Sequence, residues 1–237
     1  MKARIITGLL LSGVVLSSCL KDDNDNLGQS RLTFEFNTGT HNWMGDFADY
    51  PVTDSVFYEL QFAHAPLPAP LNTNVKSLKL SGNNHSDDLF MFIKRKVSGL
   101  RPNTTYDIAF GVEIASKAPT NAVGVGGAPG ESVVIKVGAT NKEPKKVAEN
   151  GDYLMNIDKG NQQQSGNDMK VIGNVGVSDT TTVFTLIQRT NKSVPISATT
   201  DSNGFLWVII GTESGFEATT TLYFRRIELL FQEKQQD

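Results

Sequence analysis

Cysteine occurs once in these 237 residues, histidine three times and tryptophan twice. A lone Cys19 excludes an internal disulfide as a staple for the fold. His41, His64 and His85 form neither HExxH nor another close zinc spacing, and no Gly-x-Ser-x-Gly elbow is present, which disfavours the usual metalloprotease and serine-hydrolase designs. The glycine-rich stretch from Ala118 to Gly130 has no Gly-Lys-Ser/Thr behind it and no helical pattern to receive it, so it reads as a long loop and not a phosphate cradle. Basic charge is not in excess: 22 Lys and Arg face 25 Asp and Glu, for a formal net charge of −3. Lys94-Arg95-Lys96 reads as a solvated strand face with no second cluster at a useful spacing, so no nucleic-acid partner is expected. No apolar run reaches the roughly 20 residues that a membrane-crossing helix requires, and nowhere do three clear helical turns appear.

What is present is the grammar of strands. Leu32, Phe34 and Phe36 alternate with Thr33 and Glu35, the pattern of a sheet with one wet face. Val56 to Phe62 and Leu78 to Leu80 are further candidates. Leu89 to Val97 is apolar on both faces near its start, which predicts a central position. The sharpest strand follows the Pro102-Asn103 turn, where Tyr106, Ile108, Phe110, Val112 and Ile114 alternate with polar or small residues. Beyond the loop come Ser132 to Gly138, Val171 to Val177, Val183 to Gln188 and Ile196 to Thr199. The Asn203-Gly204 turn leads into Phe205 to Gly211, where Trp207 is expected to pack in the core. In the last strand, from about Thr221, Leu222, Phe224, Arg226 and Glu228 share one parity and Tyr223, Arg225, Ile227 and Leu229 the other, so one side is expected to turn wet toward the end. The whole predicts an all-β fold, an antiparallel β-sandwich with jelly-roll-like connectivity. One domain is expected over residues 31–231 with a C-terminal tail at 232–237; Lys142 to Lys146 is the place where a two-domain alternative would divide.

The N-terminus carries a different kind of signal. Met1 to Arg4 is short and basic, Ile5 to Leu16 is predominantly apolar, and Leu16-Ser17-Ser18-Cys19 closes the segment. This pattern resembles the lipobox of bacterial lipoproteins. The resemblance implies a signal peptide at residues 1–18 and lipidation of Cys19, which would hold the protein to a membrane through its acyl chains. Residues 19–30 follow as a tether, and Asp22, Asp23 and Asp25 among asparagines leave it no apolar face to bury. Its acidic start resembles the export signal of some lipoproteins of Bacteroidota. That implies a lipid-anchored location at the bacterial outer membrane, exposed on the surface, with a periplasm-facing orientation as the alternative.

Three polar constellations are candidates for a binding site. Residues 39–50 place Trp43 and Tyr50 around Asp46 and Asp49; residues 81–88 contain Asn84 and Asp87; residues 156–169 are dense in amides and contain Asn161, Asp158 and Asp168. Aromatic planes suit the C–H face of a sugar ring, and amides and carboxylates suit its hydroxyls, so these loops suit a polysaccharide or glycoconjugate. Trp43 is open to two readings, a stacking platform or a buried loop anchor. The same hard oxygen donors would suit a structural calcium, although the EF-hand spacing is absent. Paired carboxylates could also serve glycoside hydrolysis, whose required separation a strand sequence does not reveal. Asp46, Asp87, Asp158 and Asp168 are the acids to examine first, and no catalytic residue is assigned.

Taken together, the lipobox, GLRPNTTYDIAF and the terminal FLWVIIGTESGFEATTTLYFRRI resemble surface lipoproteins of Bacteroidota with carbohydrate-binding-like β-sandwich domains. The resemblance implies a noncatalytic glycan-binding lipoprotein. The alternatives are a structural or protein-binding accessory of an outer-membrane assembly, with an outer-membrane protein partner, and a glycan-active enzyme using paired carboxylates.

Overall fold

The computed structural model describes residues 28–235; Cys19, the segment before it and most of the tether lie outside the described residues. The strands are β1 (Gln29–Glu35), β2 (Met44–Ala48), β3 (Tyr50–Pro51), β4 (Gln61–Pro66), β5 (Lys76–Asn83), β6 (Leu89–Val97), β7 (Thr105–Ser116), β8 (Val133–Thr140), β9 (Lys146–Glu149), β10 (Asp152–Met155), β11 (Met169–Asn174), β12 (Thr185–Thr190), β13 (Ile196–Thr199), β14 (Leu206–Ser214) and β15 (Thr219–Glu233). Every pairing among these strands is antiparallel. No helix among the described residues is long and apolar enough to cross a membrane.

Two large sheets face each other. The first runs β4-β5-β15-β7-β12, with β1 also on β15 and β13 also on β7; the second runs β2-β6-β14-β8-β11. Between β5 and β8 successive strands alternate from one sheet to the other, and β14 and β15 each close the middle of their own sheet, which is jelly-roll connectivity. The alternation read in the sequence supplies the core: Leu78, Leu80, Phe110, Ile114, Phe224 and Leu229 from the first sheet meet Met91, Ile93, Ile135, Val137, Val208 and Ile210 from the second, all buried. Apolar area removed from water in this way is the dominant stabilising term, at roughly 25 cal/mol per Å².

Three expectations are corrected. Val56 to Phe62 is not a strand, since the chain turns through residues 52–59 and β4 starts only at Gln61. The last strand does not turn wet by simple parity, because the pairing of β15 with β7 shifts between Phe224 and Arg226. That bulge inserts one residue and re-aims the chain, so Leu222 and Phe224 before it and Ile227, Leu229 and Phe231 after it all reach the core. Of the two readings open for Trp43 the structure has the buried anchor, 1% exposed in the core and edge-on to Phe34, whereas Trp207, expected in the core, is half-buried on the outward face of the second sheet beneath Lys94 Nζ. Parity explains the second, since Leu206 and Val208 on either side of it point inward.

The apolar outward face of β6 has its own cause. Residues 141–168 leave the second sheet after β8, add β9 and β10 to β3 as a small sheet, and fold back across the outward face. A second small core results, in which Phe90 and Phe92 lie under Met155, Ile157 and Met169 together with Ala48 and Ile209.

Candidate functional site

Beside that small core lies a knot of charge. Lys136 on β8 and Glu213 on β14 are diagonal neighbours, because Lys136 stands opposite Gly211, and both are fully buried and ion-paired. Asp49 at the β2–β3 junction and Asp88 just before β6 bring two more carboxylates, so that Asp49, Asp88 and Glu213 each place an oxygen within 4.8 Å of the others. This is a spacing that a divalent cation could in principle bridge. An ammonium stands there instead: Lys159 Nζ is 2.6 Å from Glu213 Oε1 and 2.8 Å from Asp49 Oδ2, the latter a charge contact without full hydrogen-bond geometry. Lys159 also sits over the Phe90 ring at 5.2 Å, and its carbonyl accepts from Lys136 Nζ at 3.0 Å.

Burial sets the protonation of this knot. It pushes the carboxyls of Asp49 and Asp88 up, Asp88 to about 7, and pulls the Lys136 ammonium down. For Lys159 burial acts downward as well, but the carboxylates of Asp49 and Glu213 outweigh it and hold the ammonium above its ordinary range. Such perturbed groups are found at active sites. Here Asp49, Lys136, Lys159 and Glu213 are buried and engaged with one another beside the strap, residues 156–168, while Asp88 is part-exposed.

An open site lies at the edge of the sandwich, where β2 of one sheet approaches β4 of the other. At Gly45 a Cβ would come within 2.2 Å of the Phe62 ring, which is why only glycine fits that crossing. Next to it is a cleft of ≈ 600 Å³ lined by Phe47, Tyr50, Val56, Glu59, Gln61 and Lys146, among others. Lys146 Nζ bonds Asp46 Oδ1 at 2.9 Å and donates to the Tyr50 hydroxyl at 3.1 Å, and it lies 4.8 Å from the centre of the Tyr153 ring. These partners hold its ammonium above the ordinary lysine range despite partial burial. Tyr50 in turn packs between Tyr58 and Tyr153, with ring centres 5.5 and 5.2 Å away. The Glu59 carboxylate, the Gln61 amide and the Lys146 ammonium therefore share one rim, and the hydroxyl of the buried Tyr50 meets it from beneath.

The sequence-chosen residues separate into three groups. Lys146, on the wall of this cleft, joins Asp46 beside it to Tyr50, whose ring is 2% exposed in the core. Trp43 and Asn84 are interior: Trp43 is the loop anchor and offers no open ring, and the Asn84 amide is 1% exposed and donates to the carbonyls of Ser214 at 2.7 Å and Phe216 at 3.1 Å. Asp87, Asn161 and Asp168 belong to the strap and its contacts. Gln162 donates to the Asp87 carbonyl, Asn161 is exposed on the strap, and Asp168 Oδ2 accepts the Asp158 N–H at 2.8 Å. Asp158 accepts from the N–H groups of Gly160 and Asn167, which hold its carboxyl below the ordinary range. Each histidine has a ring nitrogen on a backbone carbonyl: His41 on Glu35, His64 on Phe36 and His85 on Phe57. Sequence reading missed Lys136 and Glu213, although a charged residue inside the apolar runs VVIKVG and IIGTES was the available signal.

No family model and no curated protein matches the chain. Among solved structures it is similar to the K3 cleaved adhesin domain of Lys-gingipain from Porphyromonas gingivalis W83, at 11% identity and a TM-score of 0.43 over 86% of this chain and 99% of that one. It is also similar to a putative sugar binding protein from Bacteroides thetaiotaomicron, at 9% identity and 0.41 over 84% and 91%. A third is the carbohydrate-binding module TmCBM27, whose structure addresses mannan recognition, at 9% identity and 0.37 over 87% and 99%. Identities this low carry no residue of theirs onto this chain.

Proposed function

We propose that this chain is a noncatalytic glycan-binding lipoprotein of the bacterial outer membrane, anchored through Cys19 and exposed on the surface. The observation that carries the binding role is the edge cleft, in which Glu59, Gln61 and Lys146 present a carboxylate, an amide and an ammonium beside Val56, with Lys146 held by Asp46 and by the hydroxyl of the buried Tyr50. Its size suits a small stretch of saccharide, since ligand clefts commonly span about 300–1,000 Å³. A noncatalytic role is favoured because Lys146 pairs Asp46, Asp158 and Asp168 are taken up within the strap, and the buried carboxylates are covered. Calcium has no part in this reading: Lys159 is the cation that the buried acids hold.

A glycan array with the purified protein tests the binding role, and mass spectrometry of the membrane-borne protein tests lipid on Cys19. Binding to a glycan class is expected to fall tenfold or more in Lys146→Ala and Gln61→Ala while the thermal unfolding curve of Gln61→Ala stays in place. Absence of binding across host, plant and bacterial glycans would move the reading to a protein-binding accessory. One feature favours that second reading. Val56, Phe57, Val123 and Val125 are 89%, 60%, 101% and 66% exposed in the loops around one end of the sandwich.

A further inference from the structure

The core side of β6 carries one charge. Met91, Ile93 and Val97 share a parity of that strand and lie buried between the two sheets, and Arg95 stands between Ile93 and Val97 in the same row. Lys94 and Lys96 take the other face, Lys94 over Trp207 and Lys96 over Phe205, so the basic triplet is divided between the two faces of the strand. Arg95 places its guanidinium over the Phe34 ring, 4.5 Å from the ring centre. Trp43 packs edge-on against the same ring, with centres 5.7 Å apart. It comes level with Arg95 because Met44, the next residue, pairs with Lys94.

Neither side chain finds an acceptor. Among the described residues Trp43 Nε1 and Arg95 Nε and Nη1 are buried without a hydrogen-bond partner, and Arg95 joins no ion pair. Trp43 is 1% exposed, whereas Arg95 is part-exposed and is reached from solvent. Buried donors in native proteins are nearly always paired, so orphans on two side chains around one ring ask for an oxygen that these residues do not supply. Ordered water would accept from them and still leave the charge uncompensated. A guanidinium does not give up its proton to escape burial; burial pulls it below its ordinary range, and no carboxylate opposes that pull. Attraction to the Phe34 ring offsets part of the loss and leaves the N–H groups unbonded. A single cation favours a monoanion, and the planar fork of its donors matches a carboxylate.

We propose that Arg95, with the Trp43 indole N–H beside it, is a binding site for the carboxylate of a small acidic ligand, a free carboxylic acid or the acid group of a sugar. The guanidinium takes the carboxylate through its fork, and the indole N–H donates to one of the two oxygens. With a sugar acid the site rests on the glycan reading and extends it to charged saccharides; with a free acid it does not need that reading. The edge cleft is tested through Lys146 and Gln61, whose side chains bond neither Arg95 nor Trp43, so failure of one site is distinguishable from failure of the other.

The chain has two tryptophans, so Trp207→Phe leaves a single indole N–H signal, that of Trp43, in proton–nitrogen correlation spectra of the full chain. Sodium glucuronate, sodium acetate, glucose and sodium chloride are titrated in turn, the three salts at matched ionic strength. The Trp43 indole and Arg95 Nε–H signals are expected to move saturably with an acid and to stay in place with glucose and chloride. A response to both acids assigns the site to the carboxylate alone, a response to glucuronate alone to a sugar acid, and a response to acetate alone to a free acid. Arg95→Met is expected to weaken binding about tenfold or more, since charge-assisted bonds are lost. It is not expected to lower the melting temperature, because it takes an uncompensated charge out of the core row. Should Arg95→Met not fold, Arg95→Lys keeps the charge without the fork and is also expected to bind about tenfold more weakly. If neither acid moves these signals beyond chloride, the donors hold water only and the site is overturned. An undiminished indole response in the Arg95 variant overturns it as well.

Discussion

Among single residues, Lys159 occupies the most consequential position. A lysine in a polar stretch, Asn156-Ile157-Asp158-Lys159-Gly160, looks like any solvated loop cation, yet it is 8% exposed and bridges two carboxylates. Nothing local in the sequence marks it, because its partners Asp49 and Glu213 are over 50 residues away on either side and are delivered by the sheet. Trp43 shows the same limit from the other direction: a polar, glycine-containing neighbourhood surrounds it in the chain, and apolar rings surround it in space. Replacing Lys159 with methionine keeps most of its length but leaves Glu213 and Asp49 short of a cation. Breaking a buried pair in this way costs about 3–5 kcal/mol, so urea denaturation of Lys159→Met is expected to show a midpoint well below wild type. The same reasoning predicts that neither EDTA nor added calcium shifts the wild-type melting temperature. A calcium-dependent rise would mean that a metal displaces the ammonium.

For whole elements, alternation in the sequence located most strands, and what it missed has a common origin. β2, β3, β9 and β10 hold five, two, four and four residues. Runs that short hold too few side chains to display a period. The apolar outward face of β6 was read as centrality, and its cause was the strap, which period alone does not reveal. The bulge in β15 is the instructive case, because parity on each side of Arg225 is regular and only the insertion between them is invisible. Deleting Arg225 should turn Ile227, Leu229 and Phe231 toward solvent in one step, since a one-residue slip moves every following side chain to the other face. Expression of the deletion variant is expected to yield insoluble protein. Arg225→Ala keeps the extra residue and removes only a part-exposed ion pair to Glu113, which is worth about 1 kcal/mol or less. If chemical denaturation finds the two variants equally stable, the bulge does not set the register.

For the molecule as a whole, β15 is the common spine. It pairs with β1, β5 and β7, so residues near both ends of the described chain lie on one strand and its neighbours. At about 3.3 Å per residue its 15 residues span roughly 50 Å. The chain enters beside one end of it, where Glu233 N–H bonds the Gly28 carbonyl, while Thr219 at the other end pairs with Asn83 near the loop of residues 84–88. Gly28 and the loop of residues 84–88 therefore lie toward opposite ends of this strand. This sharing of strands also bears on whether the halves fold apart at Lys142 to Lys146. β7 lies before that segment and β15 after it, and the two are joined over ten register positions from Tyr223 to Glu233. Phe110, fully buried on β7 opposite Leu229, sits in the middle of that joint. Phe110→Asp removes an aromatic side chain whose loss alone costs about 3–5 kcal/mol and adds a carboxyl with no partner. That exceeds a large part of the roughly 5–15 kcal/mol by which domains are stable. Both sheets are expected to lose their structure together, seen as one shared midpoint for far-ultraviolet circular dichroism and for tryptophan fluorescence, with Trp43 before the segment and Trp207 after it as reporters. Separate midpoints, or proteolysis near Lys145 that leaves two folded fragments, would show that the halves carry their own stability and that the spine is an interface between them.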